Sequence, residues 1–178
     1  MLSLAQQQQG LLAILQGRPV NLESDPWLLS VAQCRGRDMI REIGLWWQRF
    51  QIESYCRYTS RLMKWMGCFE DCVNRHFNEN PTPPSIEELT SQFLSSLENH
   101  EDPLLRSVAA FEMACMALSD DRGDNAIIYW DRNPNEVMDA LSNFKRLPGP
   151  EAGARYFLRM STESPKIVSC VRIPLRDE

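Results

Sequence analysis

No feature of the sequence constrains the fold as much as the stretch from 37 to 77. Ile43, Trp47, Phe50, Tyr58, Leu62, Trp65, Phe69, Val73 and Phe77 recur at steps of three or four residues, or at multiples of them. That is the period of one helical face sustained over many turns. A break or kink is expected near Gly44 or Gly67, and Pro81, Pro83 and Pro84 end the run.

Shorter helices flank it. Residues 2–16 carry a sticky apolar face weakened by Gly10 and closed by Gly17, and Asp25-Pro26 supplies an N-cap followed by a first-turn proline. Ser85 and Glu88 form a capping box ahead of Leu89, Phe93 and Leu97, and Asp102-Pro103 opens a further helix through Leu118. After Asp120-Asp121-Arg122-Gly123 the pattern changes. Residues 126–130 make an apolar run of strand length, and Asn133-Pro134 caps a helix carrying Val137, Met138, Leu141 and Phe144. Residues 154–160 alternate, with Ala154, Tyr156, Leu158 and Met160 on one side and Arg155, Phe157 and Arg159 on the other; a turn at Ser164-Pro165-Lys166 leads to a second alternating run, 167–173. The predicted fold class is mainly α with a small α+β part. A helical bundle occupies 1–120, and a three-stranded β-α-β-β unit occupies 121–178.

The chain of 178 residues is 43% hydrophobic and 24% charged, a composition that excludes wholesale disorder and allows a core without disulfide staples. Its net charge of −5 argues against nucleic acid as a partner. The charge is uneven: 35–75 holds eight basic and five acidic side chains, 76–120 one basic and eight acidic. Helix faces that attract each other explain this, as does a polar docking surface on the long helix. The N-terminus lacks a basic region before its apolar residues, and no run reaches the ~18–20 apolar residues of a membrane span. A cytoplasmic chain with six free thiols is expected.

Candidate chemistry is sparse. Cys68, Cys72 and His76 share a helix face, but eight residues at ~1.5 Å rise separate Cys68 from His76 by ~12 Å, too far to share one zinc. Packing explains the two cysteines, and a helix C-terminus that favours a cation explains His76. The other histidine, His100, sits in an acidic loop and reads as solvated. Neither a nucleophile elbow nor a zinc-protease helix nor a phosphate-binding glycine loop is present. The C-terminal unit is more suggestive. A sheet this small leaves an edge open, where an extended peptide can add as a strand. Arg155, Arg159 and Arg172 are expected on the face opposite the apolar one, placed to hold an acidic peptide.

The layout resembles the partner proteins of multinuclear non-heme iron-dependent oxidases in pathways to ribosomally made, modified peptides (RiPPs). The resemblance lies in Leu4-Ala-Gln-Gln-Gln8, Arg49-Phe-Gln-Ile-Glu-Ser-Tyr-Cys-Arg-Tyr58, Gly67-Cys-Phe69, Phe93-Leu-Ser-Ser-Leu97, Phe111-Glu-Met-Ala114, Trp130-Asp-Arg-Asn-Pro-Asn-Glu-Val137 and Tyr156-Phe-Leu-Arg159. It is similar above all to the partners that help an oxidase act on a cysteine at the end of a carrier peptide, as in thiaglutamate biosynthesis. What this resemblance implies is a non-catalytic subunit that forms a heterodimer with the oxidase and presents the precursor peptide. The iron would belong to the enzyme, with no cofactor in this chain.

The expected partner-binding residues are Trp46, Trp47 and Arg49, because two adjacent tryptophans ~100° apart cannot share one core-facing stripe. The expected peptide-binding residues are Val137, Leu141, Tyr156, Leu158 and Met160, in a groove between the sheet edge and the 134–144 helix, with the 154–160 strand as acceptor. Two other functions fit parts of the sequence: a DNA-binding regulator with a winged-helix-like C-terminal unit, and a thiol- or metal-dependent enzyme using Cys68 and Cys72.

Overall fold

The computed structural model describes residues 2–15, 17, 25–80, 83, 85–119, 125–161 and 168–174. Pro81, Pro84, the 120–123 turn and the turn at 164–166 lie outside them, as does Ile167. The fold is mainly helical with a small three-stranded antiparallel sheet, as expected.

Helices α1 (Leu4–Leu15) and α2 (Pro26–Ala32) open the chain. The Asp25 carboxylate accepts from the Trp27 and Leu28 N–H groups at 2.9 and 3.4 Å, and Pro26 stands at the first helical position. Gly10 is buried, and a Cβ there would stand 2.6 Å from Leu28 Cδ1. Its missing side chain lets α2 lie against α1, in exchange for weaker helix propensity.

The periodic segment is three helices: α3 (Gly36–Tyr55), α4 (Arg57–Met66) and α5 (Phe69–Glu79). Gly44 lies inside α3 and breaks nothing. Gly67 ends α4 in the left-handed conformation, φ +74°, where a break was expected. The other break is at buried Cys56, and its cause is distant in sequence. No residue at the start of α4 caps it; instead the Tyr58 and Thr59 N–H groups donate to Glu112 Oε1 and Oε2 at 2.7 and 2.9 Å. A buried carboxylate from another helix thus satisfies the orphan donors of this N-terminus.

That other helix is α7 (Pro103–Ser119), which follows α6 (Ile86–Ser96). Ser85 Oγ accepts from the Glu88 N–H at 3.2 Å, one arm of the predicted box, while the Glu88 carboxylate takes the Gln92 side chain. Asp102 accepts from the Leu105 N–H at 2.9 Å. Among the described residues no helix is long and apolar enough to cross a membrane.

Strands β1 (Asn125–Trp130), β2 (Ala154–Ser161) and β3 (Val168–Pro174) pair in the order β1-β2-β3, both pairs antiparallel, with α8 (Pro134–Ser142) between β1 and β2 in the chain. The 154–160 strand is therefore central and paired on both sides, so it is not the acceptor edge that was expected. Its alternation holds: Ala154, Tyr156, Leu158 and Met160 are buried, Arg155 and Arg159 exposed. Arg172 departs from expectation. It faces Tyr156 across the ladder, on the inner side, and donates to Glu151 at 2.5 Å. Phe144 also departs: it lies beyond α8 at φ +53°, 81% exposed, under the Arg61 guanidinium. Arg61 donates to the Leu141 and Ser142 carbonyls, which ties α8 to α4. One buried cluster runs across the 120/121 division, joining Leu105 and Val108 of α7 to Ile128, Val137 and Leu158. The inner face of so small a sheet finds its cover in the helical part.

Candidate functional site

Both β1 and β3 are edge strands, and the ladder registers show which backbone groups of β1 point outward. Ala154 faces Pro174 across β2–β3. Proline has no N–H, so this pair cannot be a hydrogen-bonded one. Alternation then directs the odd-numbered groups of β2 to β3 and its even-numbered groups to β1, where Tyr156, Leu158 and Met160 face Trp130, Ile128 and Ala126. The N–H and C=O groups of Asn125, Ile127 and Tyr129 are left pointing away from the sheet. Independent support comes from Ser107 on α7, whose Oγ donates to the Tyr129 carbonyl at 2.7 Å.

Facing this edge across a groove of about 890 Å³ is α7. Ala109, Ala110, Met113, Ala114 and Ala117 line its helical side, and Ala126, Ile128 and Trp130 its strand side. Alanines recur along this side of α7, so small side chains make the floor. Arg106, Arg155, Glu98 and Asp131 stand at one end. There, Trp130 is 2% exposed and its indole N–H has no partner among the described residues, an unmet donor of the kind that folded proteins rarely leave.

The five residues expected to bind peptide do not line this groove. Val137, Leu141, Tyr156, Leu158 and Met160 are all buried in the core, and α8 packs on α4. The alternation of Tyr156, Leu158 and Met160 is the signature of a sheet's inner face, and the helical unit already covers that face. Sequence reasoning missed the α7 side of the groove; the only signal there is the run of small residues from Ala109 to Ala117.

The second feature is α3. Leu45, Ile52 and the adjoining Cys56 face inward, yet Met39, Ile40, Ile43, Trp46, Trp47 and Phe50 are all exposed. At 100° per residue these six fall within an arc of ~120° that holds no charged side chain and runs ~17 Å along the axis. Trp46 is 61% and Trp47 50% exposed, each stacked on Phe50 at 5.9 and 5.6 Å between centroids. Ile43, Trp47 and Phe50 thus leave the core stripe they were expected to continue, because α3 is apolar on both faces and periodicity cannot tell which one is inside. A monomer seldom exposes so continuous an apolar strip. Arg49 is not part of it. Its guanidinium binds Asn74 at 2.7 and 3.2 Å and Glu70 at 3.2 Å, clamping α3 to α5.

Of the cysteines and histidines, Cys56 and His76 are buried, Cys34 is exposed and the rest are half-buried. Burial pushes the Cys72 thiol up to about 11, with Cys68 beside it adding to the shift. A nucleophile needs the thiolate, which this environment withholds. His76 is edge-on to Phe77 and Phe93 at 5.5 and 5.4 Å, and burial lowers its pKa below the ordinary value, so it is held neutral rather than as the expected helix-end cation. His100 is half-buried, and its Nδ1 accepts from the Asp102 N–H at 3.1 Å, a loop fastener rather than a solvated side chain. Among the described residues no three His, Cys, Asp or Glu side chains are grouped to hold a metal ion. The arrangement offers binding surfaces: one strand edge with a groove, and one apolar helix face. Comparison with family models finds no match to this chain, and neither curated proteins nor solved structures yield a similar one.

Proposed function

We propose that this chain is a non-catalytic accessory subunit that acts in the cytoplasm. It docks on a multinuclear non-heme iron oxidase and presents a ribosomally made precursor peptide for modification of a cysteine. The observation that carries the reading is the outward edge of β1, whose backbone groups, apart from the Tyr129 carbonyl held by Ser107, are turned away from β2 beside a groove of about 890 Å³ lined by α7. Strand addition needs this combination: backbone groups for affinity and adjoining pockets for selection. The exposed aromatic face of α3 supports the second half of the reading, a surface for the oxidase. The raised Cys72 thiol and the neutral, enclosed His76 fit a chain that leaves the chemistry to its partner.

Ile127→Pro tests the peptide half. The Ile127 N–H points away from β2, so proline removes one outward donor and leaves the β1–β2 ladder intact. Fluorescence anisotropy with the labelled precursor leader is expected to show at least a tenfold loss, with an unchanged circular dichroism spectrum. Wild-type affinity in the folded variant would exclude this edge. For the oxidase half, elemental analysis is expected to find iron only when the partner copurifies. About one metal per isolated chain, lost on replacing Cys68 and Cys72 with serine, would assign the metal to this chain instead.

A further inference from the structure

The lining of the groove specifies what kind of segment it accepts. Since α7 leads into β1, the Ser107–Tyr129 bond fixes their relative placement: the start of α7 lies beside the end of β1. The polar residues Arg106, Arg155 and Trp130 therefore gather at the Tyr129 end, and the small residues Ala114, Ala117 and Ala126 at the other. No carboxylate pairs with Arg106 or Arg155 among the described residues; Arg106 donates to the His100 carbonyl at 3.0 Å. Of the acidic groups at that end, Asp131 is already held by Arg132 at 2.7 and 2.8 Å, and Glu98 is exposed.

We infer that the groove takes an extended peptide carrying a bulky apolar residue and a carboxylate about three residues apart. This rests on reading the β1 edge as a peptide acceptor, and adds the chemistry of the peptide. The spacing follows from strand geometry: Ala126 and Tyr129 are three residues apart, ~10 Å at ~3.3 Å per residue. Residues three apart on a strand face opposite sides. The apolar side chain points inward to the alanine floor, the side that Ala126 shares. The carboxylate points outward, the side that Arg155 shares. Charge selects the occupant: a carboxylate on the peptide would meet two guanidiniums that have no ion-pair partner among the described residues.

The test uses labelled synthetic octapeptides with the full chain, read by fluorescence anisotropy. One carries leucine and glutamate three residues apart among threonines; in a second lysine replaces the glutamate, and in a third alanine replaces the leucine. The first is expected to bind at least tenfold more tightly than either other, with a preference over the lysine peptide that shrinks in 0.5 M salt. Arg155→Glu, at an exposed position, is expected to reverse the glutamate–lysine preference. Ala110→Trp, also exposed, fills the floor and is expected to abolish binding. Equal affinity for the glutamate and lysine peptides, or an unchanged preference in Arg155→Glu, overturns the inference. If all three bind equally and all weaken in Ile127→Pro, the peptide class is wrong while the acceptor edge stands. If none binds, or if the chain instead pairs with itself through this edge as a dimer in light scattering, both fall.

Discussion

Replacing Glu112 with alanine is expected to cost about 2–4 kcal/mol of stability, read as a lower urea midpoint with an unchanged slope. The carboxylate is buried, and it satisfies the Tyr58 and Thr59 N–H groups at the start of α4. Alanine leaves both donors without their acceptor, the Thr59 N–H in the buried interior and the Tyr58 N–H half-buried. Glu112→Gln keeps one acceptor and is expected to cost less than half as much. The same residue gives a pH signature. Burial raises its carboxyl above the ordinary value, outweighing the N–H donors that pull it down. The fold therefore favours the protonated form, and this contribution is complete below the ordinary carboxylate range. It is lost as pH rises through the raised value. Stability measured from pH 4 upward is expected to decline by this contribution in the wild type and not in Glu112→Gln.

The largest effect on binding is expected at Trp46 and Trp47. Alanine at either should weaken association with the proposed oxidase partner by roughly 2–4 kcal/mol, at least about thirtyfold, as for aromatic anchors at the centre of an interface. Both side chains are at least half exposed, so the variants should melt with the wild type. Co-expression followed by size-exclusion chromatography reads the outcome, and unchanged complex formation in both variants would remove α3 as the docking face. Arg49→Ala should behave in the opposite way. It breaks the clamp to Asn74 and Glu70, lowering stability while leaving the docking face intact.

What the sequence disclosed was whatever its neighbours in the chain determine. Asp25-Pro26, Ser85, Asp102-Pro103 and Asn133-Pro134 announce helix starts because a cap binds N–H groups two or three residues away. The alternation of 154–160 announced a strand with one buried face. Three things were not local. The break at Cys56 is stabilised by Glu112, more than fifty residues on. The central place of β2 depends on which strands flank it, and an alternating strand reads the same in the middle of a sheet as at its edge. The outward face of α3 carries the same apolar period as its inward face, so the spacing of Ile43, Trp47 and Phe50 fitted either side. The candidate site fared accordingly. That a small sheet keeps an edge was legible, whereas which groups of β1 point outward needed the register of Pro174 and the bond from Ser107 to Tyr129.

That bond also bears on how long a guest would stay. The outward edge of β1 offers three donors and, with the Tyr129 carbonyl occupied by Ser107, two acceptors. A peptide paired over so few residues has a residence time governed by its side chains, since differences among related complexes lie mostly in dissociation. Lengthening the edge would tighten the grip and slow release. Under the proposed role, in which each modified peptide would have to leave before the next is accepted, a short strand with one carbonyl already taken favours rapid exchange over tight retention.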